Sequence, residues 1–458
     1  MAASPKPMAT SKSTPPILLA RLSLMMFLQY WPLGLWVVTI GTYLAANTGE
    51  EGAGIFSSGF AGYSGSFAAL SSLFAPALFG WITDRYFPAE RVMVVLHLLS
   101  ALSLWGMHEA TTEVGFAVAM VCFFHCFLPT ISLTNTIALH HLSNSESEFF
   151  YVRFFSTLSW ICAGLFIGYG CTWIFGESIE ATRIPLLIAL GSHIVMACYC
   201  ITLPKCPVAK KEQAKTGEAV VNKASLLRNR PLLVFLLVSF LASIPSQAYN
   251  LANLFLNQQG YEGAAAKLTI GQLGEAMFVL CLPLLIPRFG LKNIFLFGVV
   301  GWGLRYLLFA FGSGEGGAWL VYTAIAVHGP CYLFVYVAGQ LYIDRLVPTY
   351  ARGAAQGLHT VATSGLGHLV GALLCGWAQA KYLTPEGVHP PPYDWFGYWL
   401  TPVAACAVAA VVFVLAFSSQ APEDRGGPGD DGSEPPTELH PHDAPPSPME
   451  AFTDSPVE

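Results

Sequence analysis

Charged side chains are scarce in this chain of 458 residues, since Asp, Glu, Lys and Arg together make up 11% of it. Soluble domains carry about 25% charged residues. Hydrophobic residues reach 54% and aromatic residues 13%. This composition excludes an ordinary soluble domain and indicates that lipid is the main solvent around the folded chain.

A basic surface is also lacking. Lys and Arg number 22 against 28 Asp and Glu, the formal net charge is −6, and much of the acid lies after Ser419. Domains that bind nucleic acids carry clustered basic residues. No nucleic-acid partner is therefore expected.

Motifs typical of enzymes and of secreted proteins are missing as well. The sequence has no phosphate loop, no convincing metal cluster and no nucleophile with an adjacent base, so we expect neither an enzyme nor a cofactor. The eleven cysteines lie mostly in apolar runs, which argues against a disulfide framework. Cys122, His125 and Cys126 share a helix face, where small thiols are expected to fill a helix interface rather than bind a metal. The apolar run 22–44 is too long for the core of a cleavable signal peptide.

Long apolar runs are what the sequence does contain. Each is long enough for one membrane crossing of about 17–25 residues. The predicted spans are 20–44, 55–82, 92–108, 115–138, 149–174, 184–203, 231–256, 264–287, 291–312, 317–341, 353–380 and 394–417. The sequence therefore predicts an all-α membrane protein with twelve transmembrane helices.

The placement of Lys and Arg predicts the orientation in the cytoplasmic (inner) membrane, because cytoplasmic loops are enriched in cations. One set of loops carries Lys6, Lys12, Arg21, Arg85, Arg91, Lys205, Lys210, Lys211, Lys215, Lys223, Arg228, Arg230, Arg288, Lys292, Arg345 and Arg352. The opposite loops carry mainly Arg183, Lys267 and Lys381 with the acids Glu50, Glu51, Glu109, Glu113, Glu177 and Glu180. Both termini are expected to be cytoplasmic.

One long polar break divides the spans six and six. We expect a cytoplasmic N-terminal segment (1–19), a six-helix bundle (20–203), a cytoplasmic linker (204–230), a second six-helix bundle (231–418) and a cytoplasmic tail (419–458). The tail is rich in Pro, Gly, Asp and Glu and is predicted to be disordered. We expect the protein to be a monomer.

Three polar stripes interrupt spans that are otherwise apolar. They are Arg153, Thr157 and Trp160; Gln247 and Asn250; and Gln272 and Glu275. Within each stripe the residues are three or four apart, which places them on one helix face. Ionisable groups at bilayer depth are costly and usually face a bundle interior or a water-filled path. The stripes therefore predict a polar cavity between the two bundles and favour a transporter.

The loop between spans two and three suggests a family. Gly80 is followed by Asp84-Arg85 and then by Arg91, which resembles the signature loop of the major facilitator superfamily. The resemblance implies two six-helix bundles that rock about a central site. It also implies a conformational latch, in which Gly80 permits close helix approach and Asp84 caps or pairs across the bundle interface. A solvated charge cluster is the alternative.

A narrower resemblance extends from about Arg21 to Phe417. It rests on Phe27–Trp31 and Thr39–Tyr43; Pro129-Thr130 and Asn135–Ile137; Arg153 and Thr157; Gln272–Glu275 and Pro287–Asn293; Trp302 and Arg305; and Ala354–Gly357. These segments resemble the bacterial nucleoside:proton symporters. The resemblance implies import of nucleosides by alternating access, with the proton gradient as the energy source.

The substrate residues of that family are carried over position by position. The matching residues are Arg153, Thr157, Trp160, Gln247, Asn250, Gln272, Glu275 and Tyr332. Two positions depart from the family pattern: a tyrosine of the family is His328 here, and an acidic residue after the aromatic is Leu333. His328, Tyr332 and Tyr336 share one face of span ten.

These side chains suit a nucleoside chemically. A carboxylate such as Glu275 accepts hydrogen bonds from vicinal ribose hydroxyls, and amides complete the set. Trp160 and Tyr332 offer flat faces for a base, and Arg153 binds its edge acceptors. Interhelical hydrogen bonding for the amides and bundle packing for the aromatics are the alternatives.

Glu275 is the one carboxylate near the middle of a predicted span, and we hypothesise that it couples proton and nucleoside binding. A permanently ionised partner for Arg153 or for a sugar hydroxyl is the alternative. Because Leu333 replaces the family's acid, either Glu275 or His328 takes over its role, or specificity has shifted, or transport is uncoupled.

The sequence defines the roles of other polar and aromatic residues less closely. Arg305 has either a packing role or a role in a gating ion pair. Gln29, Tyr30 and Trp36 are further candidates for the cavity wall. Two other functions stay open: transport of another polyhydroxylated solute such as a sugar, and a non-transporting membrane sensor with the same fold.

Overall fold

The computed structural model describes residues 13–49, 54–143, 145–206, 226, 228–314, 316–348, 351–384 and 393–417. The predicted tail 419–458 lies outside these residues, as do most of the predicted linker (207–225 and 227) and residues 1–12. Among the charged residues used for the orientation, Lys6, Lys12, Glu50, Glu51, Lys210, Lys211, Lys215 and Lys223 also lie outside them.

The described chain is built from long helices, joined by short connections that include two isolated β-bridges. The helices are α1 (Pro16–Ala46), α2 (Phe60–Arg85), α3 (Ala89–Glu109), α4 (Glu113–His141), α5 (Glu148–Phe175), α6 (Ile184–Thr202), α7 (Arg230–Gln258), α8 and α9 (together Ala264–Gly312), α10 (Ala318–Leu346), α11 (Arg352–Lys381) and α12 (Trp395–Phe417). We call α1–α6 the first half and α7–α12 the second half.

Eleven helices of the described residues are long and apolar enough to cross a membrane. One of them belongs to Ala264–Gly312, a stretch of 49 residues that is too long for a single crossing. Its backbone breaks at Gly290, where φ is 70° and ψ is 152°, a conformation that favours glycine. The break separates α8 (264–289) from α9 (291–312), so the helices agree with the twelve predicted spans and the predicted all-α membrane fold is confirmed.

Successive crossings give the bundle two sides. We call the side where α1 begins at Pro16 the near side, and the side where it ends at Ala46 the far side. The α5–α6 loop and the α7–α8 loop both lie on the far side, and the α2–α3 loop lies on the near side.

Several helices contain turns that are not α-helical. α5 has a π-helical turn at Phe166–Gly170, α10 has one at Leu333–Val337 and α11 has one at Val361–Gly367. In α7 the segment Ile244–Leu251 is a 3₁₀-helix. Its second residue is Pro245, which has no N–H for the α-helical hydrogen bond. Such turns often mark functional positions in helices.

The hydrophobic core shows how the halves meet. One continuous cluster joins the far-side part of the first half, for example Leu44 and Phe116, to the second half, for example Leu251 and Phe255. Within the second half it continues to the near-side end, for example to Phe235. The near-side end of the first half has a separate cluster around Met25. Apolar packing therefore connects the two halves toward the far side.

Candidate functional site

A partly open space lies between the two halves. It is lined by Val37 and Val38 of α1, Trp160 and Gly164 of α5, Tyr249, Asn250 and Asn253 of α7, and Ala265, Leu268, Thr269 and Gln272 of α8. Three predicted substrate residues, Trp160, Asn250 and Gln272, thus line one space, which we call the central cavity.

Gln247 and Asn250 lie in the 3₁₀ segment of α7. Residues three apart eclipse one another in a 3₁₀-helix. Accordingly the Asn250 side-chain amide donates to Gln247 Oε1 at 2.9 Å. The segment presents two amides as one polar unit, of which Asn250 reaches the cavity.

Arg153, Thr157 and Glu275 lie outside the lining of the central cavity. Arg153 is half-buried, its guanidinium carbon lies 4.8 Å from the centre of the Tyr30 ring, and its Nη1 donates to Ser156 Oγ at 2.9 Å. Thr157 is half-buried one turn further along α5. Glu275 is also half-buried and interacts electrostatically with Arg153.

The charges of Arg153 and Glu275 do not form a close pair. Among the described residues, no ion pair within 4 Å joins them. Tyr332 interacts electrostatically with both of them and with Tyr30. Four polar groups from α1, α5, α8 and α10 therefore form one neighbourhood across the two halves.

The close approach of α10 to α8 depends on Gly329. A Cβ atom there would lie 2.2 Å from the backbone nitrogen of Glu275, so any larger residue would push the helices apart. This contact places His328 and Tyr332 of α10 beside the polar face of α8. Of these, Tyr332 is 38% exposed.

An aromatic stack continues from the cavity wall into α10. The Tyr249 and His328 rings are 5.0 Å apart and stacked, the His328 and Tyr332 rings are 6.0 Å apart, and the Tyr332 and Tyr336 rings are 4.8 Å apart. The Tyr336 hydroxyl lies 2.9 Å from Nε2 of His368. His328 is thus placed within the aromatic face that the sequence predicts.

Leu333 occupies the position of the family's acidic residue. Its side chain is 1% exposed and begins the π-helical turn of α10. It contributes buried apolar surface and no titratable group.

Arg305 is completely buried in the second half. Its Nε donates to the carbonyl oxygen of Ala324 at 3.1 Å, and its guanidinium lies 3.5 Å from the centre of the Tyr249 ring. In the described part of the chain it makes no ion pair within 4 Å, so the contacts agree with the packing role. Cation–π contact holds Tyr249 in the cavity wall.

Tyr249 was missed in the sequence analysis. Its position between Gln247 and Asn250 was the available signal, but α-helical spacing places it on a different face from them. In the structure Tyr249 nevertheless lines the cavity together with Asn250. Its ring is held there by contacts with Arg305 and His328, which are distant in sequence.

Two residues suggested for the cavity wall lie elsewhere. Gln29 is buried in the first half, where its amide nitrogen donates to Thr130 Oγ1 at 2.5 Å and its oxygen lies 3.1 Å from His97 Nε2. Trp36 is buried against Phe123. Both belong to the core of the first half, so their placement at the cavity was wrong.

The four latch residues lie at the near side. Asp84, Arg85 and Arg91 are exposed, and Arg85 lies over the Trp81 ring at 5.2 Å. A Cβ atom at Gly80 would meet nothing within 4 Å. The latch is not engaged in this conformation, and its role stays a prediction.

The possible metal ligands of α4 are not clustered around a site. Nδ1 of His125 lies 2.7 Å from Ser71 Oγ, and no group of three or more metal-ligating side chains occurs in the ranges that the structure describes. His125 is engaged in helix packing between α2 and α4.

Known proteins resemble this chain along nearly all of its membrane part. The family described as "Nucleoside H+ symporter" matches residues 17–422. The putative nucleoside transporter YegT of Escherichia coli strain K12 is 34% identical over 405 residues, covering 87% of this chain and 93% of that protein. The nucleoside permease NupG of the same strain is 27% identical over 417 residues, covering 87% and 95%.

A solved structure agrees with these matches. The crystal structure of the nucleoside transporter NupG has a TM-score of 0.76 and 25% sequence identity, and the match covers 87% of this chain and 99% of that one. The sequence match and the structural match both extend over the two halves that enclose the central cavity. The chain is therefore a member of the nucleoside H+ symporter family.

Proposed function

We propose that this protein imports nucleosides together with protons by alternating access around the central cavity. The observation that carries the proposal is that Trp160 of the first half and Asn250 and Gln272 of the second half line one space. The family matches the chain over residues 17–422, which include all three. The family match indicates a multi-pass transporter of the inner membrane rather than an enzyme.

The near side is proposed to be cytoplasmic. It carries Arg85, Arg91, Arg345 and Arg352 among the described residues, and cytoplasmic loops are enriched in such cations. Because the halves pack together toward the far side, we assign this conformation to the inward-facing state.

Substrate recognition is proposed to combine stacking with hydrogen bonds. Trp160 supplies an aromatic face for the base, and base–aromatic stacking is worth about 1–3 kcal/mol. Asn250, joined to Gln247, and Gln272 supply amide donors and acceptors along the opposite wall. Thr157, His328 and Tyr332 are assigned to the wider substrate path between α5 and α10.

Glu275 is proposed to carry the coupled proton and to bind ribose hydroxyls. No ion pair within 4 Å fixes its charge in the described residues, so its protonation does not require breaking a contact with Arg153. Arg153 is close enough to respond electrostatically to that protonation. His328 is the second candidate for proton coupling, since Leu333 offers no titratable group.

Uptake into proteoliposomes tests this function. Radiolabelled uridine or adenosine should accumulate when the outside is made acidic, and a protonophore should abolish accumulation. Unlabelled nucleosides should compete, whereas hexoses should not. Competition by hexoses alone would support the sugar transporter, and saturable binding without any flux would support the sensor.

A further inference from the structure

The far-side loop between α5 and α6 carries a buried carboxylate, Glu180. Its side chain is only 1% exposed, although it belongs to a loop. A buried charge is costly unless hydrogen bonds or an opposite charge compensate it. In the described part of the chain, no Lys or Arg lies within ion-pair distance of Glu180. The neighbouring cation Arg183 donates instead to the carbonyl oxygen of His108 at 2.6 Å.

The compensation comes from the second half. Oε2 of Glu180 accepts hydrogen bonds from the side-chain amides of Asn253 and Asn257, each at 2.8 Å. Oε1 accepts from the backbone N–H of Ala265 at 3.1 Å. Ala265 lies in the first turn of α8, where free N–H groups and the helix dipole favour a negative charge. One carboxylate of the first half therefore binds both α7 and α8.

The same contacts form the far-side wall of the central cavity. Asn253 and Ala265 both line the cavity. Oδ1 of Asn253 accepts from the hydroxyl of Thr42 at 2.5 Å and from the Asn257 amide at 3.1 Å. The Asn253 side chain is thus held by two residues of the first half, Thr42 and Glu180.

Other far-side hydrogen bonds between the halves are expected to be weaker than those of Glu180. The backbone N–H of Gly62 in α2 donates to Gln379 Oε1 in α11 at 2.8 Å, which is a bond between neutral groups. Hydrogen bonds to charged groups contribute more than bonds between neutral groups. Glu180 makes three charged contacts at one point.

We call the contact of the α5–α6 loop with α7 and α8 the far-side gate. We propose that Glu180 is the positioning residue that locks this gate closed above the nucleoside. The proposal rests on the alternating-access function proposed above and adds the group that holds one of its two states. For the far side to open, α7 and α8 must leave Glu180, so all three hydrogen bonds break together. The carboxylate then becomes exposed and hydrated, which allows the gate to reopen in each cycle.

Glu180→Gln tests the lock with little change in volume. The amide keeps only one acceptor oxygen, so its NH₂ group must face either the Asn253 and Asn257 amide donors or the Ala265 N–H, and the closed gate loses its charged acceptor. Glu177→Gln is the matched control, because Glu177 is an exposed carboxylate three residues earlier in the same loop. Asn257→Ala removes one of the three donors and should produce an intermediate effect.

Gate opening is measured as a distance. Spin labels are attached at Glu109→Cys in the first half and Glu262→Cys in the second half, both exposed on the far side, after the accessible native cysteines are replaced by serine. The purified full-length protein is measured without substrate by double electron–electron resonance. Loss of charged hydrogen bonds should raise the ratio of open to closed gate about tenfold in Glu180→Gln. Glu177→Gln should match the parent protein.

Two further readouts distinguish a gate from a fold defect. The distance between near-side labels at Trp81→Cys and Arg345→Cys should shorten as the distance between the far-side labels lengthens. A general loosening of the fold does not shorten the near-side distance. Purified Glu180→Gln should still bind uridine or adenosine. If Glu180→Gln fails to fold, the far-side and near-side distances are measured in Asn257→Ala instead, and they decide whether the lock exists.

An unchanged far-side distance in Glu180→Gln and in Asn257→Ala would overturn the proposal, as would equal lengthening in Glu177→Gln. Because the distances are recorded without substrate, a protein that failed to transport nucleosides could still pass this test. Failure of the lock and failure of the proposed function are therefore separate outcomes.

Discussion

At the scale of single residues, the most specific prediction concerns the role of Glu275 in proton coupling. Glu275→Gln keeps the shape and polarity of the side chain but cannot bind and release a proton. We expect the variant to lose proton-driven accumulation of nucleoside while retaining exchange of internal for external nucleoside. Uptake and exchange in the same proteoliposomes measure the two activities.

Glu262→Gln, at an exposed acid of the α7–α8 loop, is the control and should accumulate nucleoside normally. Undiminished accumulation in Glu275→Gln would contradict the coupling role. His328→Gln would then be the next variant to measure, since His328 is the other titratable group at the site.

Trp160 provides a second test at this scale because it lines the cavity with an aromatic face. Trp160→Ala should raise KM for uptake by about 5- to 150-fold, the equivalent of 1–3 kcal/mol of base stacking. Trp160→Phe should recover most of the affinity, since a flat ring remains. Initial rates of uridine and adenosine uptake measure both variants.

The control for Trp160 is Trp173→Ala. Trp173 also belongs to α5, but its side chain is 88% exposed on the bundle surface. Equal changes of KM in the two alanine variants would show that Trp160 acts through packing of α5 rather than through contact with the base.

At the scale of helices, Gly329 determines how α10 meets α8. A Cβ atom there would lie 2.2 Å from the backbone nitrogen of Glu275, and backbone cannot move aside as a flexible side chain does. Gly329→Ala should therefore destabilise the protein by about 1–3 kcal/mol, typical of overpacking. It should also reduce transport by displacing Glu275 and His328. Thermal unfolding of the purified protein and nucleoside uptake provide the measurements.

Gly353→Ala is the matched control, because a Cβ atom at Gly353 in α11 would meet nothing within 4 Å. It should leave both measurements unchanged or slightly raise stability, since alanine favours a helix. A Gly329→Ala protein with normal stability and uptake would mean that α8 and α10 are not held in this contact during transport.

The helices themselves were well predicted because long apolar runs leave few alternatives in lipid. Even the separation of α8 from α9 was predicted, although the break at Gly290 is so short that the two helices join in one stretch. The irregular turns were not predicted. Pro245 signals a disturbance of α7, but whether it produces a kink or a 3₁₀ segment depends on tertiary contacts.

The site was predicted in part. Spacing identified Trp160, Asn250 and Gln272, which do line the cavity. Their neighbour Tyr249 was missed because its ring is positioned by Arg305 and His328, which are distant in sequence. Glu180 appeared only as one loop acid among several, since burial of a loop residue depends on its partners Asn253 and Ala265, which are distant in sequence.

At the scale of the whole molecule, the two sides of the bundle differ in how the halves meet. Toward the far side one apolar cluster and the Glu180 contacts join them. Toward the near side the first half has its own cluster, and Asp84 is exposed. The physiological meaning of this asymmetry depends on which side faces the cytoplasm.

Orientation can be measured directly in intact cells. Cysteines introduced by Glu109→Cys and Glu262→Cys on the far side should react with a membrane-impermeant maleimide added outside. Cysteines introduced by Arg85→Cys and Arg352→Cys should react only after the membrane is permeabilised, because cations are retained on the cytoplasmic side. Labelling of the purified variants in detergent controls for reactivity at each position. If the near-side cysteines react first in intact cells, both termini are external, the conformation faces outward, and Glu180 locks the cytoplasmic gate instead.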